Sequence, residues 1–509
     1  MGVVEYFEGK NVFMTGGSGF VGKVLIEKLL RSCPRIGTVY VLLRPKKGKS
    51  MESRLETIKA MPLFDKLREE NPASFDKIVP IAGDIEELNL GISEADRRLL
   101  IENVHIIYHT AASVRFDDFL KKAIIINVRG TREIAKIALE LKNISLFVHV
   151  STTYCNTDKP VVEEKLYPAH TDWRDAIKIA EEGDESLVNT MALKYMDPLP
   201  NSYTFAKSLA EHVVNDLCLG KIPTIILRPS VVIPTISEPI PGWSDNFNGP
   251  MGLLVAGGKG LLRVVLGNRS INLDYMPVDY IVKGMLVATY KYGSLNRNLE
   301  EVAVVNAAQN NLANTTIGEM LDMGAELVQY SPYNVILWYP RFSITGCWYS
   351  YFIQVLLFHM LPAFFLDIVL RLVGRKPMLI NIQRKIYIAN NILFYFMNNS
   401  WKFSNQKMLD VMNVLGDEKE RQTFGVDLND FTHEFKFEYF KNGKRGSAIY
   451  ILKEEFDKEK GKKLLGRLRV LDYTVRTIFF TFVFWYLFCK VEIFRVIMVG
   501  LENYFRRLN

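Results

Sequence analysis

In the stretch NSYTFAKSLAEH, Tyr203 and Lys207 stand four residues apart. Residues at i and i+4 share a helix face, so a helix here sets an ammonium beside a phenol. The positive charge favours the phenolate and draws the tyrosine pKa down from about 10, which makes the residue a usable proton donor. Upstream, STTY at 151–154 follows the apolar run LFVHV and offers the hydroxyls of Ser151, Thr152 and Thr153 to a carbonyl oxygen next to that phenol. Together these groups suit a carbonyl reduction whose hydride comes from a bound nucleotide. Cys155 does not suit a thioester-accepting nucleophile, because no base stands beside it in sequence and a small buried thiol is the commoner role. His149 reads as a core residue of its strand.

The nucleotide is accounted for by NVFMTGGSGFVGKVLIEKLL, a strand, a glycine turn and a helix in one piece. Gly16 permits the tight turn, Gly19 lets the backbone approach a pyrophosphate, and Gly22 lets the helix pack on its strand, with the helix N-terminus stabilising the anion. An acid at the end of the second strand would bind the ribose 2′-hydroxyl of NAD. Between Glu27 and Glu52 there is none; Arg44 follows VYVLL directly, with Lys46, Lys47 and Lys49 behind it. That cluster suits a 2′-phosphate, so NADPH is the expected cofactor. Asp84, in IAGDI, is placed to meet an adenine amino group or to serve as a turn aspartate, and Ala111 and Ala112, in YHTAAS, are small enough for a nicotinamide ribose.

These residues need a scaffold, and the first third of the chain describes one. Short runs rich in Val and Ile (NVFMTG, TVYVLLR, KIVPIAGDI, NVHIIYHTAA, SLFVHV) alternate with amphipathic stretches, which predicts an α/β, Rossmann-like doubly wound parallel sheet. PTIILRPSVV continues the sheet. Residues 234–314, rich in Gly and Pro, read as a substrate lobe within a nucleotide-binding domain over 1–330. A mainly helical, hydrophobic C-terminal domain is expected over 331–470, and an apolar, membrane-associating tail over 471–509.

At 509 residues and 49% hydrophobic, the chain has room for two or three domains and is not disordered or fibrous. The net charge of +7 favours anionic partners without implying nucleic acid. Five scattered cysteines form no metal-ligand or disulfide pattern, so no metal is expected. The N-terminus MGVVEYFEGKN has no apolar signal region, and membrane attachment is expected from later segments. Phe342 to Leu366 holds 25 residues without Asp, Glu, Lys or Arg, more than the roughly 20 that cross a bilayer; it reads equally as a spanning helix or a core helix. TIFFTFVFWYLFC at 477–489 is only 13 residues, too short to cross alone. The preceding KEKGKKLLGRLR suits the cytosolic face of an anionic membrane.

TGGSGFVG and YTFAK resemble the TGxxGxxG turn and YxxxK pair of the extended short-chain dehydrogenase/reductase superfamily. Within it, YFEGKNVFMTGGSGFVGKVLIEKLLRSCP, NVRGT, HVSTTYCN, ILRPSVV and PGWSDNFNGPMG resemble the fatty acyl-CoA reductases over essentially the whole chain. The resemblance implies a catalytic triad of Thr152, Tyr203 and Lys207, with Ser151 and Thr153 as fallbacks. It also implies cofactor contacts from Thr15, Ser18, Phe20, Asn127, Arg228 and Pro229, in addition to the glycines. Trp243, Asn246 and Asn248 would shape the substrate entrance, with Trp243 as an apolar wall. NADPH, a long-chain acyl-CoA substrate and a fatty alcohol product are implied; an aldehyde-forming reductase or a membrane hydroxysteroid dehydrogenase is the alternative. The resemblance leaves endoplasmic reticulum and peroxisome open. The ending RRLN is not a Ser-Lys-Leu address, which favours the endoplasmic reticulum, with the catalytic domain facing the cytosol.

Overall fold

The computed structural model describes residues 2–45, 48, 50–295, 299–310, 315–427, 432–489 and 493–506. Lys46, Lys47 and Lys49 of the basic loop and the end of the 234–314 lobe lie outside them.

Seven parallel strands form the central sheet: β1 (Asn11–Thr15), β2 (Val39–Leu43), β3 (Ile78–Ala82), β4 (Val104–His109), β5 (Leu146–Val150), β6 (Thr224–Pro229) and β7 (Ala303–Ala307). Their order is β7-β6-β5-β4-β1-β2-β3. Every residue of β2, β5, β6 and β7 is buried, as continuous apolar runs covered by helices on both faces require. The edge strand β3 is partly exposed and carries Pro80, which an edge tolerates because its outer side has no ladder partner. On one face, the helix Phe20–Ser32 buries Val24, Leu25, Ile26, Leu29 and Leu30 in a core shared with the helix Val278–Tyr290.

The chain leaves β1 toward β2 and β3, then returns through β4 on the other side of β1. The crevice beyond the carboxyl ends of β1 and β4 is therefore the topological switch point, where open α/β sheets bind ligands.

The later segments are stitched into this body. Ser343–Thr345 pairs in parallel with Val264–Leu266, and Lys402–Phe403 with Val161–Val162. A continuous helix runs through Trp348–Leu372. It buries Tyr351, Val355, His359, Ala363 and Asp367, one stripe at spacing four, and turns Phe352, Phe364, Phe365, Val369 and Leu372 outward. The polar members of the stripe have partners: His359 Nε2 accepts from the Arg263 amide at 3.0 Å, and Asp367 accepts from the amides of Met378, Leu379 and Ile380. This is not a core helix, since a core helix is apolar and buried all round. A second long helix, Lys458–Cys489, is anchored by buried Leu465 and by Asp472. Asp472 Oδ1 accepts from Arg263 at 3.1 Å and from Trp338 Nε1 at 2.6 Å, and its carboxylate is ion-paired with Arg476 at 2.9 Å. Beyond that clamp, Ile478, Phe479, Phe480, Phe482 and Trp485 are exposed.

Candidate active site

The glycine turn closes on the switch point. Gly16 adopts φ +78°, and a Cβ there would sit 2.6 Å from the Ala111 amide nitrogen; on Gly22 it would sit 2.3 Å from the Gly16 carbonyl oxygen. Only glycine allows this close approach. Gly19 caps the helix Phe20–Ser32 without a side chain, so the first amides stay free for an anion. Ser18 and Gly19 are exposed at the mouth. The residues present therefore fit a dinucleotide.

Thr15 and Asn127 act on the walls. Thr15 Oγ1 pairs with His109 Nδ1 at 2.7 Å, and His109 Nε2 with Thr131 Oγ1 at 2.9 Å. Buried Asn127 donates to the Ser113 carbonyl at 3.0 Å and accepts from the Ser113 amide at 2.8 Å, bracing the segment that carries Ala111 and Ala112. At the far end, Arg44 is ion-paired with Asp84 and, at 2.6 Å, with Glu86, while its side chain stays 56% exposed. Arg44 and Asp84, expected to make separate cofactor contacts, neutralise one another across β2 and β3. Arg54 was not singled out, yet its guanidinium donates to the Arg44 carbonyl, bringing a second cation to this end.

The helix Ser202–Cys218 starts beside the crevice because Asn201 caps it, its side chain accepting from the Thr204 amide at 2.9 Å. Tyr203 thus falls in the first turn. Thr152 follows β5, and its hydroxyl accepts from the Tyr154 amide at 3.2 Å, which leaves its own proton for Tyr203 or a substrate oxygen. Lys207, 3% exposed, donates to the Val150 carbonyl at 2.7 Å. Burial lowers its ammonium to about 8, opposed by Glu211. The phenol itself is not brought down as the spacing implied: burial pushes Tyr203 up, with the Thr152 hydroxyl pulling against it. In this protein-only site the ring sits under aromatic cover, stacked on Phe116 at 5.5 Å; Phe116 in turn meets Phe396 of the C-terminal segment at 5.2 Å.

Two expectations are corrected, those for Arg228 and Trp243. Arg228 does not face the cofactor: it is wholly buried, gripping Glu211 through Nε at 2.7 Å and Nη2 at 2.6 Å, with further bonds to the carbonyls of Glu163 and Lys165. Pro229, the last residue of β6, is buried beside its partner Ala307. Trp243 is not an entrance wall; it is buried and stacks on Phe20 at 5.6 Å, while neighbouring Asp245 pairs with buried Lys23. The PGWSDNFNGP loop thus straps the nucleotide helix. Asn246 accepts from the Asn248 amide at 2.9 Å and donates to Asp245 at 2.9 Å, bonds that hold the loop's own turn. Cys155 is buried, and burial with the adjacent Glu211 pushes its thiol up. Glu211 was missed, although its place one turn beyond Lys207 was visible in YTFAKSLAE.

The NAD-binding model of the "male sterility protein" family matches residues 14–285, and a second model described as male sterility protein matches 358–454. Fatty acyl-CoA reductase 1 of Mus musculus is 36% identical over 477 residues, 94% of this chain and 91% of that protein. The chain belongs to the fatty acyl-CoA reductase family. A Drosophila melanogaster member, fatty acyl-CoA reductase wat, is 36% identical over 96% of this chain and 93% of its own. Among solved structures, the reductase domain of a nonribosomal peptide synthetase from Mycobacterium tuberculosis superimposes with TM-score 0.56 at 16% identity, covering 88% of this chain and 94% of that one. It shares the fold. As a family member, the protein is an oxidoreductase with a nicotinamide-nucleotide domain.

Proposed function

We propose that this protein reduces long-chain fatty acyl-CoA to fatty alcohol and CoA in two NADPH-dependent steps, through an aldehyde-level intermediate. The observation that carries the reading is the convergence of Thr152, Tyr203 and Lys207 at the carboxyl end of β5, beside a glycine turn fitted to a dinucleotide, in a chain of this family.

Gly16, Gly19, Gly22 and the free amides of Phe20–Ser32 would hold the pyrophosphate, Ala111 and Ala112 the nicotinamide ribose, and Arg44 with Arg54 the 2′-phosphate. When bound, NADPH supplies hydride to a carbonyl carbon. The chain's own residues handle oxygen and protons. Thr152 presents a hydroxyl proton, fixed by the bond from the Tyr154 amide, to the oxygen that gains charge. Tyr203 lies beside it and donates the proton; its raised pKa keeps it protonated until that oxygen becomes basic. One of the three donors of Lys207 is fixed on Val150, leaving two for the ribose and the phenol. In the first step the thioester becomes a hemithioacetal that expels CoA thiol; in the second the aldehyde becomes the alcohol. The same three residues serve both, and no step needs a thiol nucleophile.

The outward apolar faces of Trp348–Leu372 and of Lys458–Cys489 beyond Asp472 support membrane association. Phe116, stacked on Tyr203, and Phe396 of the C-terminal segment would offer apolar surface to an acyl chain. Detergent-solubilised protein given palmitoyl-CoA and NADPH should yield hexadecanol. Turnover of a hydroxysteroid with none of palmitoyl-CoA would overturn the assignment.

A further inference from the structure

The helix Ser202–Cys218 carries Tyr203, Lys207 and Glu211 at spacing four, so all three lie on one face. Glu211 is 1% exposed, and a carboxylate so deep in a protein must be paired. Burial pushes its carboxyl up, but Arg228 beside it, together with Ser151 and Cys155, holds it below the usual range. The Arg228 grip is bidentate, through Nε and Nη2; Nη1 donates to the Glu163 carbonyl and Nη2 also to the Lys165 carbonyl. The Cys155 thiol also donates to Glu211, at 3.3 Å. Neither partner reaches the nucleotide turn, and the reaction as described uses neither.

Deep burial of an ion pair is weak evidence of stabilisation, because desolvation offsets the Coulomb gain. Its position suggests another role. We propose that Glu211, clamped by Arg228 one helix turn beyond Lys207, is a positioning residue for the reduction: it supplies the negative charge that keeps Lys207 an ammonium behind Tyr203. This rests on the function proposed above. The other groups facing Lys207 give no such support. Buried His109 on β4 and His149 on β5 are neutral, their rings pushed down by burial, His109 to about 3, and Cys155 is a protonated thiol. Glu211 is the anion acting on Lys207 among the described residues. ILRPSVV thus contributes Arg228 to the lysine, not to the cofactor.

The test compares wild type with Glu211→Gln and with Glu211→Gln/Arg228→Met, which removes both charges without stranding a guanidinium. Two readouts are followed against pH: kcat/KM with NADPH and decanal, and NADPH affinity by fluorescence without substrate. Wild type should lose both as pH rises through about 8. In the variants that limb should move about one pH unit lower, because loss of a charge one helix turn away within protein is worth a shift of that order. No wild-type limb between pH 7 and 9, or variants with the wild-type limb and a pH-independent loss, would overturn the proposal. So would a double variant that fails to fold, since the pair would then be structural. Wild type that reduces decanal but not palmitoyl-CoA refutes the substrate assignment and leaves this test standing.

Discussion

Arg44→Ala should change cofactor choice, and the structure sets the size of the change. Arg44 is more than half exposed and holds Asp84 and Glu86, an arrangement worth roughly 0 to 1 kcal/mol. A charge-assisted bond from its guanidinium to a phosphate contributes about 1.5 to 3 kcal/mol. Breaking the first to make the second leaves about 0.5 to 3 kcal/mol, so the variant should lose from about 2- to about 150-fold in kcat/KM for NADPH. Arg54 remains to limit the loss. NADH has no 2′-phosphate, and removing Arg44 frees two carboxylates near its ribose, so its kcat/KM should hold or rise. The assay is initial rate with each nucleotide at saturating palmitoyl-CoA, expressed as the NADPH/NADH ratio. A ratio unchanged within twofold would refute the assignment of Arg44 to the 2′-phosphate.

Gly22→Ala places a Cβ against backbone on both sides, 2.3 Å from the Gly16 oxygen and 2.7 Å from Gly17 Cα, so NADPH affinity measured by fluorescence should fall at least about tenfold. Iodoacetamide should leave activity intact, because Cys155, the thiol beside Thr152 in sequence, is buried, as are Cys33 and Cys218; inactivation protected by substrate would point to a thiol in the chemistry. His109, pushed down to about 3 by burial, gives stability that is complete above its unfolded value near 6.5 and declines as pH falls toward 3. The expected loss is about 2 kcal/mol by pH 5, seen as a lower urea midpoint, and a midpoint flat from pH 7 to 5 would contradict it.

Local pattern carried much of this site. The strands were legible because buried parallel strands are apolar on both faces, and the glycine turn because Gly16, Gly19 and Gly22 meet a backbone constraint within one short segment. Tyr203 and Lys207 were legible because helical spacing brings them together. Pairings across the sequence were not. ILRPSVV says nothing of which acid Arg228 will meet, and Trp243 looked like an exposed wall because its stacking partner, Phe20, lies in a distant segment. The apolar run 342–366 was ambiguous for the same reason: composition cannot tell a helix buried all round from one that packs a single stripe, and only the packing of Tyr351, Val355 and His359 separates them. The expected fall in the Tyr203 pKa failed because spacing reveals a neighbouring charge but not the desolvation that outweighs it.

The central claim is a four-electron reduction by one set of residues, and the most direct measurement is NADPH consumed per CoA released from palmitoyl-CoA, with Tyr203→Phe as control. The account predicts two NADPH per CoA, hexadecanol as product, and loss of both steps in the variant. One NADPH per CoA with free aldehyde, or a Tyr203→Phe enzyme that still makes alcohol at the wild-type rate, would contradict it.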